Sequence, residues 1–526
     1  MLIGLTACAA HADWASDIGY TRLQARLGAL LPQGAGISVS HVEPSVSEET
    51  AAYAASSEAS PAGGNFAGKT FVFVSGPSDV SWHAAAVGET FYGVNGASAA
   101  PLAGTGGAHI RAVEANDWLG SASLHANLSS NTLPETEPHP VANHSWIGLV
   151  PTHLQAAEAN DTLRRLDFQI QRDDYVAMAG VNNGAETAVP ELLASSYNAL
   201  SVGLTNGSHS TGATSGNVDG SGRVKPEIVA PLARTSYATG LASSCAALLA
   251  GAAADTPALN AAQHSEVIRA LLLAGARKTP FPAWANTTTR PLDPHFGAGE
   301  INIWRSFQSL SAGPCAPGSA SPGGSAGWHY TVSIGTNAEN VYTLAVPEGC
   351  VAREFSAALV WDRRIQTVLH SLWINPSPQL ANLDLWLHAS ANAAPGAEIT
   401  RSESGAPGSV AHPLEHVFAR DLAAGEYALI VKNTAPSTYA TDYGVAWFAQ
   451  LEPAAPPDIA SELSADGSAL ALAFSRLGIG LTYALQTSGN LSDWATTHTF
   501  TASAATATWT VSGTEVRAFY RLIWQE

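Results

Sequence analysis

A serine, Ser236, stands where the sequence predicts the start of a long helix of small residues. The strand-like segment Lys225–Pro231 leads into a short loop, Ser236 follows, and residues 240–254 predict the helix. Backbone N–H groups at a helix N-terminus favour a developing negative charge, so a serine there suits attack on a carbonyl group. The position also suits an ordinary N-cap serine, and this segment by itself leaves both interpretations open.

Two further groups could complete a nucleophilic site. His83 opens a predicted helix over residues 83–91, where its imidazole could take a proton from a hydroxyl group. Glu43 follows a predicted buried strand over residues 37–42, and sites in open α/β sheets lie outside the carboxyl ends of strands. A carboxylate at that place could orient an imidazole. Asp79, four residues before His83, is a competing acid.

The elements that would position these residues alternate between strand-like and helix-like patterns. Buried strands are predicted at 37–42, 69–75 and 175–179, and helices at 83–91 and 154–166. Such alternation favours an α/β fold, in which a parallel sheet is flanked by helices. We expect this domain to span residues 13–312.

The pattern changes after a segment rich in Gly, Pro, Ser and Ala, residues 311–327, which predicts a linker. Short strands separated by turn residues then dominate, and this is typical of β-sandwiches. We therefore expect a jelly-roll-like β-sandwich domain at 313–452. After a proline-rich break, a small C-terminal β-sandwich domain is expected at 456–526.

Composition excludes several classes of function. Of 526 residues, 46% are hydrophobic, and 43 acidic against 24 basic residues give a net charge of −19. This charge argues against nucleic acid and anionic membranes as partners. The longest mainly apolar run, residues 241–254, is too short to span a bilayer. The four cysteines of the chain exclude a multi-cysteine zinc ribbon. The sequence predicts no cofactor or metal site, and its residue pattern does not identify calcium sites. We expect the protein to be a monomer.

Five segments together resemble the motifs of the subtilisin-like serine proteases, the subtilases. The acid, the histidine and the serine come in the order of that family, and the serine lies in Thr235-Ser236-Tyr237-Ala238 after Lys225–Pro231. Segment 142–148 resembles the strand that lines the substrate groove, and segment 179–184 resembles the oxyanion segment. The resemblance covers the chain from about residue 30 to about residue 310.

This resemblance implies a division of labour. Ser236 would attack the peptide carbonyl, His83 would take and return the proton, and Glu43 would fix the tautomer of the imidazole. The side-chain amide of Asn182 and the backbone N–H of Ser236 would hold the oxyanion. The residues that would line the substrate groove are Ser145, Trp146, Ile147 and Gly148.

Two residues depart from the family pattern. The acid is Glu43 where the family usually has Asp, and Arg234 replaces the Gly that normally precedes Thr-Ser. Residues 313–452 resemble the β-sandwich that follows the catalytic domain in proprotein convertases. The resemblance implies a serine endopeptidase that hydrolyses peptide bonds in protein or peptide substrates. The alternative, which the departures favour, is a catalytically silent subtilase fold that acts as a secreted binding protein or a surface adhesion protein.

The N-terminus indicates export. Residues 1–12 resemble the remnant of a signal peptide, because a short apolar stretch ends in Ala10-His11-Ala12, with small residues at the positions that a signal peptidase reads. Cys8 also lies in a segment that resembles a lipoprotein box. We expect a bacterial protein that is secreted or located in the periplasm or at the cell surface. Since export permits oxidation, Cys315 and Cys350 are predicted to form a disulfide.

Overall fold

The structure is a computed structural model. It describes residues 13–34, 36–44, 65–66, 68–74, 81–100, 109–148, 155–319, 322–370, 373–391, 394–406, 411–435, 437–464, 469–512 and 518–525. Two predictions fall outside these ranges: the signal-like segment 1–12 with Cys8, and the competing acid Asp79. We refer to residues 13–312 as the α/β region, to 313–455 as the first β region and to 456–526 as the second β region.

Helices and strands alternate along the α/β region, as the sequence predicts. Its helices are α1 (Trp14–Asp17), α2 (Tyr20–Leu27), α3 (Trp82–Phe91), α4 (Ala115–Leu119), α5 (Gln155–Asp173), α6 (Thr235–Asp255), α7 (Ser265–Gly275) and α8 (Ile303–Ser311). Its strands are β1 (Val39–Glu43), β2 (Thr70–Phe73), β3 (His109–Glu114), β4 (Val141–His144), β5 (Val176–Gly180), β6 (Leu200–Leu204), β7 (Gly212–Ala213), β8 (Val224–Lys225) and β9 (Ile228–Ala230). Short 3₁₀ helices cover Gly28–Leu30 and Pro257–Gln263.

Seven of these strands form one parallel sheet in the order β2-β3-β1-β4-β5-β6-β9. The chain leaves β1 toward β2 and β3 on one side and then crosses to β4 on the other. In open α/β sheets, a crevice forms where the strand order reverses in this way, at the carboxyl ends of the strands. The topology therefore puts the end of β1 at the place where a site is expected.

Successive residues of the parallel strands pack into two different cores. Val39 and Met178 belong to a core with α6, whereas Val42 and Ala177 pack with residues of α5 on the opposite face. Among the described helices, α6 is long and apolar enough to cross a membrane by length and composition, but 89% of its most apolar window is buried inside the protein. This burial is typical of a core helix.

The first β region is antiparallel. Its strands are β10 (Ala326–Ile334), β11 (Glu339–Val360), β12 (Arg364–His370), β13 (Trp373–Gln379), β14 (Asn382–Ala391), β15 (Ala394–Ser402), β16 (Leu414–Thr434) and β17 (Thr441–Pro453). They form a six-stranded sheet, β10-β17-β11-β16-β14-β15, and a hairpin, β12-β13. The antiparallel β structure is as expected, while the likeness to the convertase sandwich stays a prediction.

The second β region contains two three-stranded antiparallel sheets, β18-β19-β22 and β21-β20-β23. Their strands are β18 (Asp458–Leu463), β19 (Ala469–Ser475), β20 (Thr482–Ser488), β21 (Ala495–Thr501), β22 (Thr506–Ser512) and β23 (Phe519–Gln525). Leu472, Tyr483 and Leu522 from the two sheets share one core. The predicted fold class, an α/β sheet flanked by helices and followed by all-β structure, is confirmed.

The predicted disulfide between Cys315 and Cys350 is wrong, since both thiols are free. The backbone N–H of Cys315 donates to Trp328 at the start of the first β region, and the sulfur atom faces the linker at Gly323. The thiol of Cys350 instead lies 3.5 Å from the carbonyl oxygen of Ile479 in the second β region. The two cysteines therefore face different parts of the molecule.

A buried ion pair joins the first β region to the α/β region. The guanidinium of Arg363, which is 3% exposed, donates to Oδ2 of Asp167 on α5 from two nitrogen atoms, at 2.9 and 2.5 Å. The backbone also approaches closely, because a Cβ atom at Gly444 of β17 would lie 2.5 Å from the carbonyl carbon of Glu266 on α7. Residues of the first β region are therefore buried against helices α5 and α7 of the α/β region.

The substitution Arg363→Leu should destabilise the protein by about 3 kcal/mol, because it leaves the carboxylate of Asp167 buried without its cation. Urea unfolding followed by circular dichroism measures this. Arg353→Leu is the matched control, since Arg353 pairs with Asp421 and Glu452 at the surface and should leave the urea midpoint nearly unchanged. Equal midpoints for the two variants would contradict the role of the ion pair.

Candidate active site

The three predicted catalytic side chains lie together at the carboxyl edge of the sheet. Glu43 is the last residue of β1, while His83 and Ser236 are the second residues of α3 and α6. Nε2 of His83 lies 3.1 Å from Oγ of Ser236, and Nδ1 lies 2.7 Å from Oε2 of Glu43. The second contact becomes an ion pair when the His83 ring is protonated.

Local sequence explains where α3 begins and how closely α6 approaches it. The side chain of Ser81 accepts a hydrogen bond of 3.2 Å from the backbone N–H of Ala84 and so caps the N-terminus of α3. Helix α6 crosses α3 closely, because a Cβ atom at Gly240 would lie 2.2 Å from Oγ1 of Thr90. A glycine at 240 therefore lets α6 bring Ser236 to His83.

The carboxylate of Glu43 is fully buried and held from several sides. Its Oε1 accepts hydrogen bonds of 3.2 Å from the backbone N–H of Ser145 and from Nδ2 of Asn143. Nε2 of a second histidine, His41, lies 3.4 Å from the same oxygen. The other oxygen, Oε2, faces His83. These contacts supply the compensation that a buried charge needs.

The electrostatics of the site suit a proton acceptor at His83. Burial raises the pKa of Glu43, but hydrogen bonding and charge from His41 and His83 outweigh it, and the net shift is downward. Burial lowers the pKa of His83, the ionised Glu43 raises it more, and the net shift is upward from 6.5. Arg234 acts in the opposite direction to Glu43 and lowers the pKa of His83.

Neighbouring loops hold Ser236 and the predicted oxyanion residue. Oγ of Ser145 donates to the carbonyl oxygen of Ser236 at 2.9 Å. Oδ1 of Asn183 accepts the N–H of Thr235 at 3.0 Å and thereby ties the segment after β5 to the N-terminus of α6. Asn182 precedes this contact, its side chain is half-buried, and its backbone is fixed by two hydrogen bonds to Ser210.

The residues predicted to line the groove have different environments. Ser145 is buried and its N–H and hydroxyl group bind Glu43 and Ser236, and Trp146 packs against Trp118 and His144. The N–H of Gly148 donates to Leu192 at 2.9 Å. Of the four, Ile147 has the exposed side chain, at 42%. The geometry thus makes Ser145 a support of the site, whereas Ile147 faces outward.

Two residues in contact with the acid, His41 and Asn143, were not predicted from the sequence. His41 and Glu43 are two residues apart on β1 and therefore share a side of the sheet, a periodicity that could have shown the pair. Nδ1 of His41 is 2.9 Å from the hydroxyl group of Tyr92, and Asn143 lies opposite His41 on β4. Such cross-strand neighbours depend on strand order, which the sequence does not state.

Another cluster offers ligand atoms that could hold a metal ion: Asp174, His264 and Glu266 lie within 4.8 Å of one another. Asp174 already accepts from Nδ1 of His264 at 2.6 Å and from the N–H of Ser265 at 2.7 Å. The ring of His264 also stacks on Tyr330 at 3.6 Å. These contacts explain why the three residues lie together, because they form part of the interface between the α/β region and the first β region.

Solved structures to which the chain is similar include three proteases. No family model matches the chain, and no curated protein matches it. The solved structure of the serine protease MycP1, a component of the type VII (ESX-1) secretion system, is 18% identical, with 57% of this chain and 90% of that chain covered and a TM-score of 0.33. A lanthipeptide protease is 11% identical, with coverage of 56% and 93% and a TM-score of 0.34. Fervidolysin from Fervidobacterium pennivorans, a keratinolytic enzyme related to subtilisin, is 11% identical, with coverage of 97% and 70% and a TM-score of 0.33.

The chain is similar to these three proteases. One of them, fervidolysin, is related to subtilisin, and the motifs of this chain resemble those of the subtilisin-like serine proteases. At such identities and TM-scores the likeness carries no argument about chemistry. The chemical argument for this chain therefore rests on its own site.

The substitution Arg234→Gln should move the pH dependence of Ser236 reactivity toward higher pH. His83 must be neutral to accept a proton, so reactivity falls as the pH drops through its pKa, which Glu43 holds above 6.5. Removal of the Arg234 charge stabilises the imidazolium and raises that pKa further. The rate of labelling by a fluorophosphonate between pH 5 and 9 measures the midpoint, with exposed Arg420→Gln as control. A midpoint below that of the wild type would contradict the assignment of His83.

Proposed function

We propose that this chain is a serine endopeptidase that hydrolyses peptide bonds through Ser236, His83 and Glu43. The observation that carries the proposal is the contact series at the end of β1: Ser236 to His83 at 3.1 Å and His83 to Glu43 at 2.7 Å. A nucleophile next to a base, and a base next to an ionised acid, is the arrangement that activates a hydroxyl group. An N-cap role does not explain the histidine or the buried acid.

The proposed reaction begins when Nε2 of His83 accepts the proton of Ser236 and Oγ attacks the substrate carbonyl carbon. Glu43 holds the ring with its proton on Nδ1 and stabilises the imidazolium that forms. His83 then returns the proton to the leaving amine as the C–N bond breaks. A water molecule attacks the acyl-enzyme by the same route and restores Ser236.

The negative oxygen of the intermediate needs hydrogen-bond donors. The N–H of Ser236 lies in the first turn of α6, where backbone N–H groups have no partner within the helix. The N–H of Thr235 is taken by Asn183, and the neighbouring side-chain amide of Asn182 is the second proposed donor. This pair would stabilise charge that exists only in the transition state and the intermediate.

Exposed residues at the entrance to the site suggest how a substrate would be received. Trp82 is 63% exposed and its ring lies 5.6 Å from the ring of His83, edge to face. Arg234 is exposed immediately before α6, and Ile147 is exposed after β4. We propose protein or peptide chains as substrates of an exported bacterial enzyme.

Ser236 should react covalently with a fluorophosphonate, and His83→Ala should abolish the labelling, because the hydroxyl group loses its base. Ser236→Ala should lower kcat for fluorescent casein by about four to six orders of magnitude. Mass spectrometry locates the label. Ser244→Ala is the control on the same helix, since its hydroxyl group only donates to Leu241 within α6 and accepts from Ala99.

A different labelled serine would refute the assignment of the nucleophile. Absence of both labelling and casein cleavage in the folded wild type would instead favour the binding or adhesion protein.

Glu43→Gln should lower kcat by about three to four orders of magnitude while the fold is kept. The amide oxygen would take the place of Oε1, which accepts from Ser145 and Asn143, so the amide NH₂ would face Nδ1 of His83. The ring would then carry its proton on Nε2 and could not accept one from Ser236. Casein turnover measures the loss, and Glu43→Asp should recover part of it.

Glu114→Gln is the matched control, because Glu114 ends the adjacent strand β3 directly beside Glu43 and caps α4. Its activity should equal that of the wild type. If Glu43→Gln turned over casein as fast as Glu114→Gln, the acid would have been misassigned.

A further inference from the structure

The candidate active site carries an exposed arginine beside its nucleophile. Arg234 is the residue before α6 and lies two positions before Ser236. Its backbone is extended, with φ of −139° and ψ of 145°, and its carbonyl oxygen accepts the N–H of Ala238 at 3.0 Å. Any residue can adopt these angles, so the large side chain causes no backbone strain.

The guanidinium group of Arg234 is not compensated within the part of the chain that the structure describes. It forms no ion pair and no side-chain hydrogen bond with a described residue, and it does not cap α6. The acid of the site, Glu43, is fully buried and held by its own partners. The exposed charge beside Ser236 is therefore positive, although the chain as a whole has a net charge of −19.

This positive charge acts on the reacting groups. It lowers the pKa of His83, so the guanidinium group lies near enough to the imidazole to affect it. Thr235, between Arg234 and Ser236, is fixed by the hydrogen bond of 3.0 Å from its N–H to Asn183. Two residues of chain span at most about 7 Å, so the Arg234 side chain can reach the residues that flank a peptide bond held at Ser236.

A substrate could reverse the effect of Arg234 on the proposed reaction. His83 becomes an imidazolium when it takes the proton of Ser236, and a positive charge nearby opposes this step. A carboxylate bound to Arg234 would offset that charge. The planar donors of a guanidinium group also match a carboxylate in geometry. A peptide with a carboxylate beside the scissile bond would therefore gain both in binding and in proton transfer.

We propose that Arg234 selects substrates that carry an aspartate or a glutamate next to the peptide bond that is cleaved. The inference rests on the proposed endopeptidase function and names the class of peptide that the enzyme prefers. The acidic side chain pairs with the guanidinium group. A lysine or an arginine at the same place is repelled by it, and this repulsion adds to the selectivity.

Peptides that differ in one residue test the proposal. Mass spectrometry locates a bond in casein that the wild type cleaves, and the surrounding segment is synthesised with acetylated and amidated ends, so that it has no terminal charge. Glu, Gln or Lys is placed directly before or directly after that bond. At one of these positions, Glu in place of Gln should raise kcat/KM about fivefold, the upper range for an exposed ion pair. Lys should lower it.

Variants of Arg234 identify the cause of the preference. Arg234→Gln should make the Glu and Gln peptides equal, and Arg234→Glu should favour the Lys peptide. The ratio between peptides is measured because Arg234→Gln also changes the pKa of His83, which affects both peptides alike. Arg420→Gln is the matched control, since Arg420 is exposed on β16 and pairs with no carboxylate among the described residues. It should keep the wild-type ratio.

The outcomes separate this inference from the proposed function. Equal kcat/KM for the Glu and Gln peptides at both positions in the wild type would overturn the inference while the peptidase function stands. A preference for Glu that persists in Arg234→Gln would do the same. If the folded wild type cleaves neither casein nor any peptide and a fluorophosphonate does not label Ser236, the peptidase function itself is wrong, and the substrate preference falls with it.

Discussion

The buried charge of Glu43 is the constraint on which the site depends. A carboxylate without exposure to water is costly unless opposite charge and hydrogen-bond donors surround it. Here the donors come from β4 through Asn143 and Ser145, and the imidazoles come from β1 through His41 and from α3 through His83. Burial raises the pKa of Glu43, but hydrogen bonding and charge from His41 and His83 lower it by more, so the acid is ionised at neutral pH. Its ionisation is what holds His83 in place.

The need to hold the Glu43 carboxylate also positions Ser236, the proposed nucleophile, through contacts to the backbone at the start of α6. Ser145 donates its N–H to Glu43 and its hydroxyl group to the carbonyl oxygen of Ser236, so one residue links the acid to the start of α6. Asn183 ties the opposite side of that helix start to the end of β5. The distance between Ser236 and His83 is therefore set by three strands and two helices together. A change in any of them would alter it.

Sequence patterns predicted the strand and the two helices that carry the site residues. They missed the side-chain contacts that depend on pairing between strands. The strand before Glu43, the helix at His83 and the helix after Ser236 follow from periodicity and small-residue composition, because those signals are local. His41 and Asn143 become neighbours of Glu43 only through the strand order β3-β1-β4. Ser145 was expected in the groove, but the same pairing turns it toward the acid. The cysteine prediction was wrong because the bridge depended on where distant parts of the chain meet.

The first β region bears on the site through buried contacts with the α/β region. Arg363 of the first β region pairs with Asp167 on α5, and its N–H binds Asn198 immediately before β6. Buried Lys225 on β8 donates to the carbonyl of Ser196 and pairs with Glu227, which accepts from Ser201 on β6. The segment from Lys225 leads directly through β9 to Ser236. Since a buried ion pair is costly to break, the first β region and the segment that leads from Lys225 to Ser236 constrain each other through β6.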